Sequence, residues 1–225
     1  MYAPSYTSRR RRHKLEIPTP KRRRGASRRS AARVILYDAM RSAELPYTIR
    51  LAEIAQVAKL PRIEIAAAAL FPEADLPPAH RTEETPACVF ETAAREGRLW
   101  VALDASGEPV GFALVELASG GAHLAEMDVL PAHGRRGVGT ALVRTVMAWV
   151  AQRGLAALTL TTFRHLPWNG PFYRRLGFEE LASEQITPAL RARLAGEAQE
   201  GLDPAQRIAM RWAPESGAAG AAHGR

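Results

Sequence analysis

The segment Val129-Leu-Pro-Ala-His-Gly-Arg-Arg-Gly-Val-Gly139 joins a strand-like stretch to a long amphipathic helix. Gly137 and Gly139 let a ligand approach the backbone where a side chain would block it. The first N–H groups of a helix have no partners within the helix, and they lie at the positive end of its dipole. Arg135 and Arg136 add positive charge beside them. The segment therefore predicts a cradle for a phosphate or pyrophosphate group.

The bare Gly-x-Gly pattern has a second explanation, because a tight strand-to-helix connection uses the same residues. The segment lacks the Gly-Lys-Ser/Thr ending of a Walker loop. It also lacks the three-glycine spacing of the Rossmann fingerprint, and the preceding strands resemble antiparallel hairpins. Neither of these two nucleotide-binding classes is indicated.

Hydrophobic periodicity and turn residues predict the other elements. After the glycine segment they are a helix at 138–153, a strand at 155–161, a helix at 169–176, a strand at 178–181, a helix at 188–200 and a strand at 207–212. Before it they are a strand at 47–51, helices at 51–58, 61–71 and 86–97, and strands at 98–103, 109–117 and 122–130. Thr85 is expected to cap the helix that starts at Pro86. This order predicts an α/β protein with one mixed, mostly antiparallel sheet and helices on both faces.

Two segments in this order resemble the motifs of the GNAT acetyltransferases. The first is Val129-x-Pro131 followed by Arg136-Gly137-Val138-Gly139, which is similar to the family's acetyl-CoA-binding motif. The second is Asn169-Gly-Pro-Phe-Tyr-Arg-Arg-Leu-Gly-Phe178, one helix and one strand later. The resemblance covers residues 47–182 in organisation and implies a single GNAT-like domain.

The resemblance implies that acetyl-CoA is the co-substrate and that no metal is needed. Pantetheine would lie between two parted strands, at 122–130 and 155–161. The implied cofactor-binding residues are Val129, Arg135, Arg136, Gly137, Val138, Gly139, Thr140 and Asn169. The family usually has Gln or Arg where this chain has Gly134, and Arg135 or Arg136 would have to compensate.

The implied reaction is attack by an amine on a thioester, which needs a base for the ammonium and a proton donor for the leaving thiolate. Tyr173 matches the family's general acid, although Phe172 and Tyr173 can also simply pack the short helix. Glu126 is the candidate base, with a surface carboxylate at a sheet edge as the alternative. Asp128 should share its strand face.

Three further side chains near the motifs have weaker claims to a role. His123 and His165 are fallback bases, each of which can equally be structural or solvated. Trp168 lines either the acceptor pocket or the core.

The net charge of +8 is concentrated at the N-terminus. Residues 1–39 hold twelve Lys/Arg and two acids, whereas residues 40–225 carry a net charge of −2. We expect a basic disordered arm at 1–39, a GNAT-like domain at 40–213 and a flexible tail at 214–225. Three explanations of the arm are open. It binds polyanions, it is a solvated tail, or it is not translated because the chain starts at Met40. It has no interleaved aromatics and no recognisable nucleic-acid-binding motif.

Composition restricts the class of protein. The single cysteine, Cys88, cannot form an internal disulfide, and no apolar run approaches a membrane span. The basic start has no apolar h-region, so a cytoplasmic protein is expected. The favoured function is an N-acetyltransferase acting on a small-molecule or peptide amine. The alternatives are a non-catalytic acyl-CoA-binding or regulatory module, and a nucleic-acid-associated protein that uses the arm. Acceptor and oligomeric state are not encoded in any recognisable pattern.

Overall fold

The computed structural model describes residues 46–118 and 121–214. The strands are β1 (Thr48–Leu51), β2 (Leu99–Leu103), β3 (Pro109–Ala118), β4 (Gly121–Val129), β5 (Leu158–Phe163), β6 (Glu179–Glu180) and β7 (Arg207–Trp212). The helices are α1 (Ile54–Val57), α2 (Pro61–Ala68), α3 (Ala87–Arg95), α4 (Val138–Gln152), α5 (Gly170–Arg175) and α6 (Pro188–Gln199). Short 3-10 turns occupy Pro78–Arg81, Pro131–His133 and Ser183–Gln185.

All seven strands form one sheet in the order β1-β2-β3-β4-β5-β7-β6. The pairs are antiparallel except for β4 and β5, which run parallel. A parallel pair requires a crossover, and α4 supplies it. The predicted mixed, mostly antiparallel sheet is confirmed.

Each face of the sheet buries its own apolar layer. On one face α4 packs the apolar stripe of Leu142, Val146 and Val150 against β3 and β4. On the other face α2 and α3 contribute Ile63 and Phe90. The prediction of helices on both faces is therefore confirmed, and the sheet is covered where β3 meets β4.

A buried ion pair fastens α6 to the sheet. Glu197 on α6 accepts hydrogen bonds from Thr161 Oγ1 at 2.6 Å and from Arg207 Nε at 2.9 Å. The side chains of Glu197 and Arg207 are 0% and 1% exposed. Because a charge left buried without its partner is costly, this contact holds α6 over β5 and β7.

The strand predicted at 155–161 instead runs Leu158–Phe163. The reason is the end of α4, where Gly154 has a φ of +65°. Leu155 N–H then bonds to Val150 O and Gly154 N–H to Ala151 O, which is a Schellman motif. Leu155 is tied back to the helix and cannot begin the strand.

The expected role of Thr85 is wrong. Pro86 occupies the N-cap position of α3, and no side chain caps that helix. The Thr85 hydroxyl lies 2.7 Å from Glu64 Oε1, inside the protein. A buried carboxylate needs donors more than an exposed helix end does, since water can satisfy the helix end.

Several sequence-based expectations fall outside the described residues. These are the basic arm at 1–39, the start at Met40 and all but the first residue of the tail at 214–225. The proposed domain boundaries stay predictions. In the ranges 46–118 and 121–214, no helix has the length and hydropathy to cross a membrane.

Candidate functional site

Strands β4 and β5 part shortly after they begin. They pair only at Ala122 with Leu158 and at His123 with Thr159. Beyond that point residues 124–129 pair with β3 alone, and residues 160–163 with β7 alone. We call the space between these two stretches the strand gap. The two strands do not pair with each other along these stretches, so a ligand with amide groups can bind between them.

An irregularity in β4 accompanies the parting. Leu114 pairs with Glu126 but Val115 pairs with Leu124, so Ala125 is an extra residue in β4. Such bulges bend a strand and are common next to active sites. The bulge also places Ala125 and Glu126 on the same face. Ala125 packs beneath α1–α3, and Glu126 contacts Thr85.

The glycine segment adopts the conformation that a cradle requires. Gly137 is the N-cap of α4 with φ +85°, a left-handed value that favours glycine. No side chain caps this helix N-terminus. Val138 and Gly139 are buried, so the first turn lies close against the sheet. The helix therefore begins next to the strand gap with first-turn amides that its N-cap residue, a glycine, does not cap.

Two arginines flank this helix start. Arg135 and Arg136 are both exposed, and neither has an ion pair within the described ranges. Arg135 holds φ +60°, which is uncommon for a residue with a side chain. Their charges are thus available to an anion at the loop.

A contact that the sequence did not indicate fastens the loop before the glycines. Tyr47 precedes β1, and its hydroxyl lies 3.0 Å from His133 Nδ1. The two rings also meet edge to face at 5.6 Å. The pair links two segments that are 86 positions apart in the chain and fixes the position of the turn after β4.

Asn169 lies at the start of α5 and is fully buried. Its Nδ2 donates to Thr162 Oγ1 on β5 at 2.7 Å. Its Oδ1 is buried and has no hydrogen-bond partner among the residues described. A buried carbonyl oxygen without a donor is costly, and a ligand N–H would satisfy it.

Tyr173 is buried on α5, on the face of the sheet that α4 covers. Its ring packs against Phe172 at 5.0 Å and Phe178 at 5.6 Å. Its exposure is only 1%, so the packing explanation offered by the sequence holds in part. The packing fixes the ring, which is also what a proton donor at a fixed point requires.

Glu126 does not lie at an exposed sheet edge. It is 7% exposed on a central strand, and its Oε2 lies 3.0 Å from Thr85 Oγ1. The same hydroxyl lies 2.7 Å from Glu64 Oε1, and Glu64 also accepts the Thr85 N–H. A hydroxyl carries one hydrogen. The Thr85 hydroxyl can therefore donate to only one of the two carboxylates at a time.

Glu64 and Thr85 are the residues of this site that sequence reasoning missed. The available signal was a single acid inside the otherwise apolar run at 63–71. Asp128, as predicted, follows Glu126 on the same face of β4 and is 0% exposed. A group of buried carboxyls therefore lies beside the strand gap, on the face opposite Tyr173.

The fallback bases differ in their surroundings. His165 is half exposed, and its Nε2 lies 3.1 Å from Oδ1 of the buried Asp75. His123 is buried at the point where β4 and β5 part. Burial, and secondarily the nearby Arg193 guanidinium, hold the pKa of His123 well below its usual value. Trp168 is half buried against the small cluster that contains Phe71 and Phe163.

A family profile described as "Acetyltransferase (GNAT) family" matches residues 63–178. The chain belongs to the GNAT acetyltransferase family. The match spans both motifs and the helix and strand between them, so the resemblance of the two segments is confirmed. No group of three or more His, Cys, Asp or Glu in 46–118 and 121–214 could hold a metal ion.

Solved structures share the fold of this GNAT chain. Ard1 from Thermoplasma volcanium is 18% identical, with a TM-score of 0.54 over 75% of this chain and 98% of that one. The ribosomal-protein-S18-alanine N-acetyltransferase from Escherichia coli is 20% identical, with a TM-score of 0.52 over 76% and 97%. The putative acetyltransferase yncA from Salmonella typhimurium, solved with its cofactor acetyl-CoA, is 18% identical, with a TM-score of 0.55 over 78% and 99%. At this identity the likeness shows the fold alone.

Proposed function

We propose that this GNAT protein is an N-acetyltransferase that moves an acetyl group from acetyl-CoA directly to an amine in a ternary complex. The observation that carries the proposal is the parting of β4 and β5 directly beside the uncapped start of α4. That arrangement offers backbone pairing to an extended amide-containing chain and first-turn amides to a pyrophosphate. Acetyl-CoA contains both groups.

The residues at the strand gap fit this co-substrate. The β4 backbone at Val129 would pair with the pantetheine amides. The pyrophosphate would be held by the backbone amides of the six residues Arg135, Arg136, Gly137, Val138, Gly139 and Thr140. The exposed Arg135 and Arg136 would supply the side-chain charge that Gly134 lacks. Asn169 Oδ1, which is buried and has no donor among the described residues, would accept a hydrogen bond from the ligand.

Two side chains would handle the protons from opposite faces of the gap. Acetyl-CoA supplies the acyl thioester, whose C–S bond breaks as the C–N bond forms. Glu126 would take one proton from the ammonium and free its lone pair. Tyr173 would give a proton to the departing thiolate and recover one from the nitrogen. The amide keeps one of the three ammonium hydrogens, one reaches sulfur through Tyr173, and one leaves for solvent through Glu126.

The assay of this proposal measures thiol release from acetyl-CoA in the presence of a panel of primary amines. We expect release that depends on both the enzyme and an amine, with the N-acetyl product detected by mass spectrometry. A secondary alcohol of matched size should give no product, because it lacks a nitrogen lone pair. Tight acetyl-CoA binding with no product from any amine would contradict the proposal and favour a non-catalytic acyl-CoA-binding module.

A further inference from the structure

A cavity lies at the point where β4 and β5 begin to part. Its volume is about 290 Å³, at the lower limit for small-molecule sites. Its walls include His123 and Thr159, which form the last β4–β5 pair before the strand gap. The opposite wall is the start of α6. A ligand in the cavity therefore reaches the strand gap from the end remote from the glycine segment.

The charged side chains that line the cavity are cationic. Much of the remaining wall is formed by small apolar residues. Arg193 and Arg211 line the cavity, and no Asp or Glu does. Arg193 also donates to Glu116 at 2.5 Å, outside the cavity. Arg211 lies opposite Thr159 in the β5–β7 pair and has no ion pair within the described part of the chain. The N-terminal end of α6 adds the positive end of a helix dipole.

A hydrogen count assigns the tautomer of His123. Thr159 Oγ1 lies 3.2 Å from Ala122 O and 3.0 Å from His123 Nδ1. Both contacts are hydrogen bonds only if the Thr159 hydroxyl donates to Ala122 O and Nδ1–H donates to Thr159. The Nε2 of His123 then carries a lone pair. It is buried and has no partner among the residues described, so it can accept a hydrogen bond from a ligand.

We propose that this cavity is the acceptor site and that the acceptor is a small primary amine that also carries a carboxylate. The carboxylate pairs with Arg211 and with Arg193, since guanidinium groups hold carboxylates with paired hydrogen bonds. The ammonium lies toward His123 and the strand gap. Glu126 is on the same face of β4 as His123, three positions along. The alanines at 122, 156, 157 and 189 leave room for a short apolar body and exclude a bulky one.

This inference rests on the proposed acetyltransferase function and narrows its acceptor. Glycine, β-alanine and 4-aminobutyrate are each compared with the primary amide of the same acid, which removes the negative charge. Because amide formation also lowers the pKa of the amine, kcat/KM is expressed per concentration of free amine. We expect at least one carboxylate to exceed its amide in kcat/KM by about tenfold or more, the usual effect of a charge-assisted hydrogen bond. Arg211→Gln should raise KM for that carboxylate by a similar factor while kcat and the KM of the amide stay the same.

The variants are chosen so that misfolding and loss of a contact give different results. Arg211 is exposed, so its replacement should not change the melting temperature. Arg211→Lys should restore part of the preference, and Arg193→Gln should act in the same direction as Arg211→Gln. Arg175→Gln, an exposed arginine on α5 outside the cavity, is the matched control.

Binding without acetyl-CoA separates the two proposals. Saturation-transfer NMR with 4-aminobutyrate and its amide measures the binding of each ligand to the protein, whether or not turnover occurs. If the carboxylate binds selectively and this binding is lost in Arg211→Gln, the inference is supported even when no product forms. The lack of turnover then counts against the proposed function alone. Equal use and equal binding of acids and amides, or no effect of Arg211→Gln, would overturn the inference.

Discussion

Replacing Tyr173 with phenylalanine is expected to lower kcat by about 10² to 10⁴-fold, the range for loss of a positioned proton donor. The variant keeps the ring, which packs between Phe172 and Phe178, and removes only the hydroxyl. Acetyl-CoA affinity should be unchanged because that hydroxyl acts only in the proton transfers of the chemical step. Steady-state thiol release and calorimetric acetyl-CoA binding measure the two quantities.

The melting temperature of Tyr173→Phe separates a chemical role from a packing role. A buried tyrosine that only packs tolerates phenylalanine, so kcat would stay within about twofold and melting would change little. The proposed role requires a large loss of kcat at an unchanged melting temperature. A kcat close to that of the unaltered protein would show that the hydroxyl takes no part in the reaction.

Replacing Glu126 with glutamine is expected to lower kcat/KM by about 10² to 10³-fold at neutral pH, since the ammonium then lacks its base. The reaction of the variant would depend on the small fraction of acceptor that is already deprotonated. Its kcat/KM should therefore rise about tenfold per pH unit up to the pKa of the acceptor amine. Rates of the unaltered protein should rise far less over the same range. A pH profile from 6 to 10 measures the difference.

Glu84→Gln is the matched control for that experiment. Glu84 is exposed and adjoins Thr85 in sequence, so the variant makes the same change in charge outside the buried cluster. It should keep the profile of the unaltered protein. A Glu126→Gln profile that is parallel to the unaltered one would mean that Glu126 is structural and that another group takes the proton.

Sequence reasoning predicted the parts of the fold that local residues determine. Gly177 ends α5 because its φ of +89° suits glycine, and the same holds for Gly137 at the start of α4. The apolar stripe of α4 follows from helical periodicity. These features depend on one residue or on one short segment, and they require no knowledge of what packs against them.

The features that were missed depend on contacts between distant segments. Thr85 was expected at a helix cap, but Glu64, 21 positions earlier in the chain, draws its hydroxyl inward. The extra residue in β4 is defined by the register with β3, and the sequence shows there only two successive apolar residues, Leu124 and Ala125. The cavity at the strand gap needs Arg193 and Arg211 from separate elements. No local pattern encodes these three arrangements.

Calorimetric titration of acetyl-CoA into the unaltered protein and two glycine variants tests most directly whether the strand gap and glycine segment form the cofactor site. Gly137→Trp places a large side chain at the start of α4, whereas Gly107→Trp makes the same change at a turn glycine with a φ of +83° and open space around it. We expect saturable one-to-one binding by the unaltered protein and by Gly107→Trp, and none by a cooperatively melting Gly137→Trp. Undiminished binding by Gly137→Trp, or no binding by the folded unaltered protein, would contradict the proposed site.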